Sequence, residues 1–192
     1  MGRPIYDNAG FLEAARILAS EGGPAAVTVD SVAKRVKAPK GSFYHRFESR
    51  DALLGQLWLQ MVLEFQKGFV AAIEDGDGLA AALHVPRWAR AHLEDARLLS
   101  LYSRHDFVQG DWPDELKKGV REQAERIEHC LVKFSRDTFG RAGESQIRRS
   151  TFVLLEVPVA AVKGHLERRE APPPIVDDLI ARTYRAIVQD AV

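Results

Sequence analysis

Apolar residues recur at three- and four-residue steps along most of the chain, and the two-residue alternation of a strand is nearly absent. Residues 7–21 put Phe11, Ala14, Ala15 and Leu18 on one face and end at Gly22-Gly23-Pro24, which predicts an amphipathic helix with a glycine stop. Thr28 is placed to cap a short second helix that buries Val29, Val32, Ala33 and Val36. Pro39 interrupts the pattern, and a third short segment, KGSFYHRF, follows. Ser49 reads as the N-cap of a long helix carrying Leu53, Leu54, Leu57, Met61 and Phe65.

Asp75-Gly76-Asp77-Gly78 closes that helix. The next stretch, from Leu79 to about Arg104, contains Pro86, where a lost donor and a clash with the preceding turn predict a kink or a break. The segment DFVQGDWPDE reads as a loop, and a helix then runs to about Phe139 and stops at Gly140. Another covers roughly 144–169 with Pro158 inside it. Pro172-Pro173-Pro174 stops the chain again, and Pro174 opens a last helix with Asp177 and Asp178 in its first turn. The expectation is an all-α protein. A three-helix N-terminal domain occupies residues 1–48, and a larger helical domain occupies residues 49–192, with no flexible linker between them.

Composition changes little in this picture. The chain has 192 residues with 27 basic and 27 acidic side chains, which excludes a wholly basic nucleic-acid coat. A single cysteine, Cys130, leaves no internal disulfide framework. No apolar run resembles a signal peptide or approaches the ~20 residues of a membrane span. A soluble cytoplasmic protein with no membrane partner is the expectation.

The distribution of charge matters more than its total. Residues 34–50 hold Lys34, Arg35, Lys37, Lys40, Arg46 and Arg50 against Glu48 alone, a local charge of +5 that leaves −5 on the rest. Such a segment is the footprint of a phosphate-binding surface. Within it lie a short helix, a tight turn and a second short helix, as a helix-turn-helix requires. A reading helix must enter a groove about 12 Å wide, so small residues such as Gly41 and Ser42 suit its leading face. Lys40 and Arg46 are suited to phosphates or guanine edges, and Tyr44 to a phosphate. Phe43 and Phe47, four apart, are expected to hold the helix against Val32, Val36 and Leu54.

These residues resemble the TetR family of bacterial transcriptional regulators. The resemblance rests on TVDSVA at 28–33, GSFYHRF at 41–47, ESRDALL at 48–54 and their spacing, and it covers about residues 7–55. It implies that Thr28 opens the second helix and contacts a phosphate, that Lys40, Gly41, Ser42, Tyr44 and Arg46 face DNA, and that Arg50 contacts a phosphate. Lys37 and His45 are further candidates beside them. Two positions depart from the family pattern. Lys37 stands where glycine is usual in the turn, and must tolerate a left-handed conformation or a different turn. Pro39 stands where serine or threonine often opens the reading helix, and supplies no capping oxygen.

Signals for catalysis are poor. Residues 76–81 fit GxGxxA but follow a helix rather than a strand, and there is no HExxH, GxSxG or paired CxxC. Cys130 beside His129 reads as a core-filling cysteine rather than a nucleophile. No enzyme activity, metal or cofactor is expected. The body is rich in aromatic residues, including Trp112. Trp58, Met61, Phe65, Trp88, His92, Tyr102, His105 and Phe134 are candidates to line a pocket for a small apolar or aromatic effector, with His84 as a further polar group. Phe152, Leu155, Val159 and Val162, with Val176, Ile180, Tyr184 and Ile187 and then Ala191, are candidates for a homodimer interface. The functional expectation is a dimeric repressor released from a palindromic double-stranded DNA operator by its effector. The alternatives are a helical small-molecule-binding protein and a DNA-binding protein without an effector.

Overall fold

The computed structural model describes residues 7–107 and 113–189. All regular elements among them are helical. Trp112, one of the body's aromatic residues, and Ala191, expected on the dimer face, lie outside the described residues, as does the middle of the 106–115 loop.

Asp7 opens helix α1 (Asn8–Gly22), its carboxylate accepting the Gly10 N–H at 2.8 Å. Gly23 ends α1 at φ 75, and the ring of Tyr102 lies where a Cβ would project, so the position needs glycine twice over. A 3-10 turn (Pro24–Ala26) leads to α2 (Val29–Val36). Thr28 caps α2 in a reciprocal capping box: Ser31 N–H donates to Thr28 Oγ1 at 3.0 Å, and Thr28 N–H donates to Ser31 Oγ at 2.8 Å. Lys37 ends α2 in the left-handed region, φ 57 and ψ 37. The turn thus keeps the geometry that glycine usually supplies, at a cost of about 1–2 kcal/mol. Pro39 is the N-cap of α3 (Lys40–Tyr44), with no side-chain hydrogen bond. Ser49 caps α4 (Arg50–Glu74) by accepting the Ala52 N–H at 3.0 Å.

The remaining helices are α5 (Gly78–Ala91), α6 (Leu93–Leu101), α7 (Arg104–Phe107), α8 (Asp114–Phe139), α9 (Glu144–Thr151), α10 (Val157–Glu167) and α11 (Ile175–Gln189). Helix α5 runs through Pro86 without a break. The interruption falls at His92, which leaves helical geometry (φ −131, ψ 56) and stacks its ring on Trp88 at 5.3 Å. At Pro158 the chain also stays helical. A π-helical turn (Phe152–Glu156) precedes α10, and Val157 N–H donates to the Phe152 carbonyl five residues back. The wider turn makes room for a proline that lacks a donor and crowds the carbonyl four residues before it.

Two compact units emerge. The first comprises residues up to 62 together with 101–107 and 113–120, and takes in the start of α4 and α7. Its core gathers Phe11, Phe43 and Phe47, with ring centroids 5.5–6.1 Å apart, and includes Val32 and Leu54. The second comprises residues 63–100 and 121–189. There α5 packs against α10 and α11 around Phe69, Leu83, Trp88, Phe134, Leu154, Val162 and Ile180. Gly78 permits its tight junction, since a Cβ there would meet the Phe134 ring at 2.2 Å and the Tyr184 hydroxyl at 2.4 Å. Arg90 grips Asp177 at the start of α11 with two hydrogen bonds, 3.0 and 2.7 Å, and also donates to the Pro172 carbonyl.

Candidate nucleic-acid interface and effector cavity

The face built by α2 and α3 follows from what their apolar residues bury. Phe43 is fully buried against Phe11, which turns Lys40, Gly41 and Tyr44 outward on the same five-residue helix. Tyr44 is 60% exposed although its ring meets Phe43 edge-on at 5.4 Å. A Cβ added at Gly41 would meet nothing within 4 Å, so this part of the reading helix is open. His45 and Thr28 are exposed, and Ser42 is half-buried.

Lys40 is not a loose cation. Its Nζ pairs with Asp30 of α2 at 2.5 Å, which joins the starts of α2 and α3 and brings Lys40 towards the Thr28 cap. The hydrogen bond and charge of Asp30 raise the lysine pKa above its ordinary value. Arg35 pairs with Glu21 at 3.3 Å. Lys34 and Lys37 are exposed. Arg46 folds back along its own helix, donating to the Ser42 carbonyl at 2.9 Å with its guanidinium 5.7 Å from the Phe11 ring centroid.

Arg50 is held by contacts within its own unit. Nε donates to the Val27 carbonyl at 2.5 Å, Nη2 to the Pro24 carbonyl at 2.8 Å, and Nη1 pairs with Asp51 at 3.0 Å. The guanidinium is engaged inside the domain, where it ties the start of α4 to the connection between α1 and α2.

The eight effector candidates divide between the two units. Trp58, Met61, Tyr102 and His105 belong to the first unit: Met61 is fully buried, Tyr102 packs over Gly23, and His105 is exposed on α7. The other four belong to the second unit, and only Phe65 and Trp88 line a cavity there, of about 140 Å³. Phe134 is spent in the core against Phe139 and Tyr184, and His92 is exposed on the outer side of Trp88. The rest of the wall includes Ala89, Leu99, Ser100, Val159 and Leu166, and Val162 as well. A serine inside the apolar run LLSLY was the signal for Ser100. His84 lies outside this wall, with its Nε2 2.7 Å from the Phe65 carbonyl. Cys130 is buried, and burial pushes its thiol pKa up, as a core-filling cysteine requires.

The dimer candidates differ in exposure. Val162, Val176 and Ile180 are buried inside the unit, because α5 packs against α10 and α11 there. Leu155, Tyr184 and Ile187 are half-buried. The exposed large apolar residues of these helices are Phe152 (41%), Val159 (40%), Ile175 (57%) and Leu179 (56%). Among the described residues no cluster of side chains suits a metal ion, and no helix is long and apolar enough to cross a membrane.

Comparison with known proteins agrees with this arrangement. Residues 11–57 match the family described as bacterial regulatory proteins, tetR family. No curated protein matches the chain. A structure described as a tetR family transcription regulator from Shewanella sp. PV-4 is 17% identical, with a TM-score of 0.71, over 97% of this chain and 98% of that one. The transcriptional regulator FadR from Bacillus subtilis, solved in complex with stearoyl-CoA, is 13% identical with a TM-score of 0.61, over 97% and 98% of the two chains. The fatty acid degradation regulator FadR from Bacillus halodurans is 10% identical with a TM-score of 0.63, over 99% and 96%. These structural likenesses speak for the fold of the whole chain. Residues 11–57 carry the N-terminal domain of the tetR family of bacterial regulatory proteins, and a larger helical domain follows it.

Proposed function

We propose that the protein is a dimeric transcriptional repressor that binds a palindromic operator through α2 and α3 and leaves it when a small, largely apolar effector enters the helical body. The observation that carries this reading is the outward face of α3, where Gly41 is open and Tyr44 exposed while Phe43 anchors the helix from behind. In it, α3 enters the major groove with Gly41 and Ser42 closest to the bases. Lys40, Tyr44 and His45 reach base edges or phosphates, and Thr28 and Lys37 contact the flanking backbone. Arg46 must swing off Phe11 to join them, and Arg50 acts as an internal clamp.

The exposed residues Phe152, Val159, Ile175 and Leu179 support an isologous helical interface, and α10 and α11 pack together. A two-fold dimer then presents half-sites one DNA turn apart, ~34–36 Å, or a multiple of it. The B. subtilis relative in complex with stearoyl-CoA supports an effector site in the body. The cavity of about 140 Å³ is near the ~150 Å³ that accommodates benzene, which favours an effector smaller than an acyl-CoA. Its entry shifts DNA affinity only if it binds the free and DNA-bound arrangements unequally. Helix α4 contributes residues to both units and is the natural carrier of such a shift.

The test is fluorescence anisotropy with DNA from upstream of the protein's own gene, titrated with salt. Site-selective binding whose log K falls linearly with log salt supports the reading. Absence of salt-sensitive binding to any upstream fragment contradicts it.

A further inference from the structure

From Thr28 to Phe47 the chain carries Lys34, Arg35, Lys37, Lys40 and Arg46 and a single acid, Asp30. Asp30 lies in the first turn of α2, and its Oδ1 holds the Nζ of Lys40, the first residue of α3, at 2.5 Å. The carboxylate therefore sits beside the start of α3, where Gly41 leaves the surface open. Stability does not account for this acid. The Lys40 and Asp30 side chains are 64% and 68% exposed, and pairs so exposed contribute ~0.2–1 kcal/mol. Against DNA the acid is unfavourable, because phosphates repel it.

We propose that Asp30 is a specificity-determining residue, whose carboxylate accepts a hydrogen bond from the N4 amino group of one cytosine in each half-site once DNA has engaged Lys40. The proposal rests on the operator-binding reading above and adds a base preference to it. DNA that engages Lys40 removes the partner of Asp30. An ionised carboxylate only accepts, so it needs a donor from the groove in exchange. The major-groove edges differ in what they offer. Cytosine presents its amino donor, adenine sets a donor beside an acceptor, and guanine and thymine present acceptors. Cytosine is therefore the base that replaces Lys40 without bringing a second acceptor up to the carboxylate. Lys40 only donates and suits guanine acceptors or a phosphate, so the two separated side chains address opposite halves of the same hydrogen-bond code.

The test is selection of duplexes from a random library by the full chain, followed by anisotropy on the selected site. Wild type should enrich a motif with a cytosine in each half-site whose replacement by thymine weakens binding about five- to tenfold. Asp30→Ala should enrich the same motif with that one position unselective, so that the replacement no longer matters. Asp30→Asn should move the preference there towards adenine, which an amide matches with two hydrogen bonds. Retention of the rest of the motif shows that both variants are folded. An unchanged motif in both variants, with cytosine still selected at every position, overturns the role of Asp30 and leaves operator binding standing. Loss of the whole motif in both variants makes Asp30 a scaffold residue and overturns the role as well. A wild type that enriches no motif contradicts operator binding itself, and the role of Asp30 falls with it.

Discussion

Arg50 Nε lies 2.5 Å from the carbonyl oxygen of Val27, and the same guanidinium reaches the Pro24 carbonyl at 2.8 Å. These bonds cross 23 and 26 residues of sequence and close the connection between α1 and α2 onto the start of α4. Charge-assisted bonds of this kind are worth ~1.5–3 kcal/mol when buried, and Arg50 is only partly so. Arg50→Ala is expected to destabilise the protein by about 1–3 kcal/mol in chemical denaturation. Arg50→Lys should rescue little, because an ammonium does not reproduce the fork. The salt slope of DNA binding should stay unchanged in the folded variant. A drop of about one unit would instead assign Arg50 to a phosphate.

Lys40 faces a competitor for any phosphate. Asp30 holds it at 2.5 Å on an exposed surface, and DNA must displace that pairing. Asp30→Asn is expected to tighten DNA binding several-fold by freeing the lysine and removing an acid from the basic face. It should cost helix α2 about 0.3–1 kcal/mol, since Asp30 sits in the first turn. Lys40→Ala should weaken binding and lower the salt slope by about one unit. Unchanged affinity in both variants would remove this pair from the interface.

His84 makes stability depend on pH. Burial depresses its pKa below the ordinary 6.5, with Arg87 and His92 adding repulsion, and the Phe65 carbonyl only partly offsets this. Above pH 6.5 the ring is neutral in both the folded and unfolded states, and stability is at its full value. As pH falls below 6.5 the unfolded chain takes up the proton first, so stability declines until the folded-state value is passed. Denaturation midpoints should therefore fall through this window for wild type. His84→Gln, which keeps a donor for Phe65 but does not titrate, should flatten the dependence. An identical pH profile in the variant would contradict the assignment.

Leu179 is 56% exposed on a helix whose neighbouring residues Val176 and Ile180 are buried. Leu179→Glu is expected to convert the dimer to a monomer in sedimentation analysis, with little change in monomer stability. Ile180→Glu should unfold the second unit instead. A Leu179→Glu variant that sediments as a dimer would move the interface elsewhere.

Features set by adjacent residues were legible in the sequence. The caps at Thr28 and Ser49 and the start of α11 after Pro174 follow from side chains within one turn of the helix end. The Phe43–Phe47 anchor also followed from spacing, although Phe11, the third ring of that cluster, did not. The Arg50 clamp was hidden because its acceptors are backbone carbonyls of a distant turn, which no side-chain pattern marks. The side of α11 that faces outward was hidden for another reason. Ile175, Val176, Leu179 and Ile180 surround much of the helix with apolar groups, so period alone does not choose between faces. The cavity depends on volume left between helices, and Leu166 carries no signature of that. Pro86 misdirected the helix break: it is accommodated inside α5, and His92 interrupts instead.

The most direct test of DNA recognition through α3 is Gly41→Leu. The position is open, with nothing within 4 Å of a Cβ, so the variant should unfold at the wild-type midpoint. On DNA the added side chain would occupy the space that the backbone needs to approach the groove. The account predicts loss of site-selective binding to the upstream operator with the fold intact. Operator affinity equal to wild type in the folded variant would contradict it.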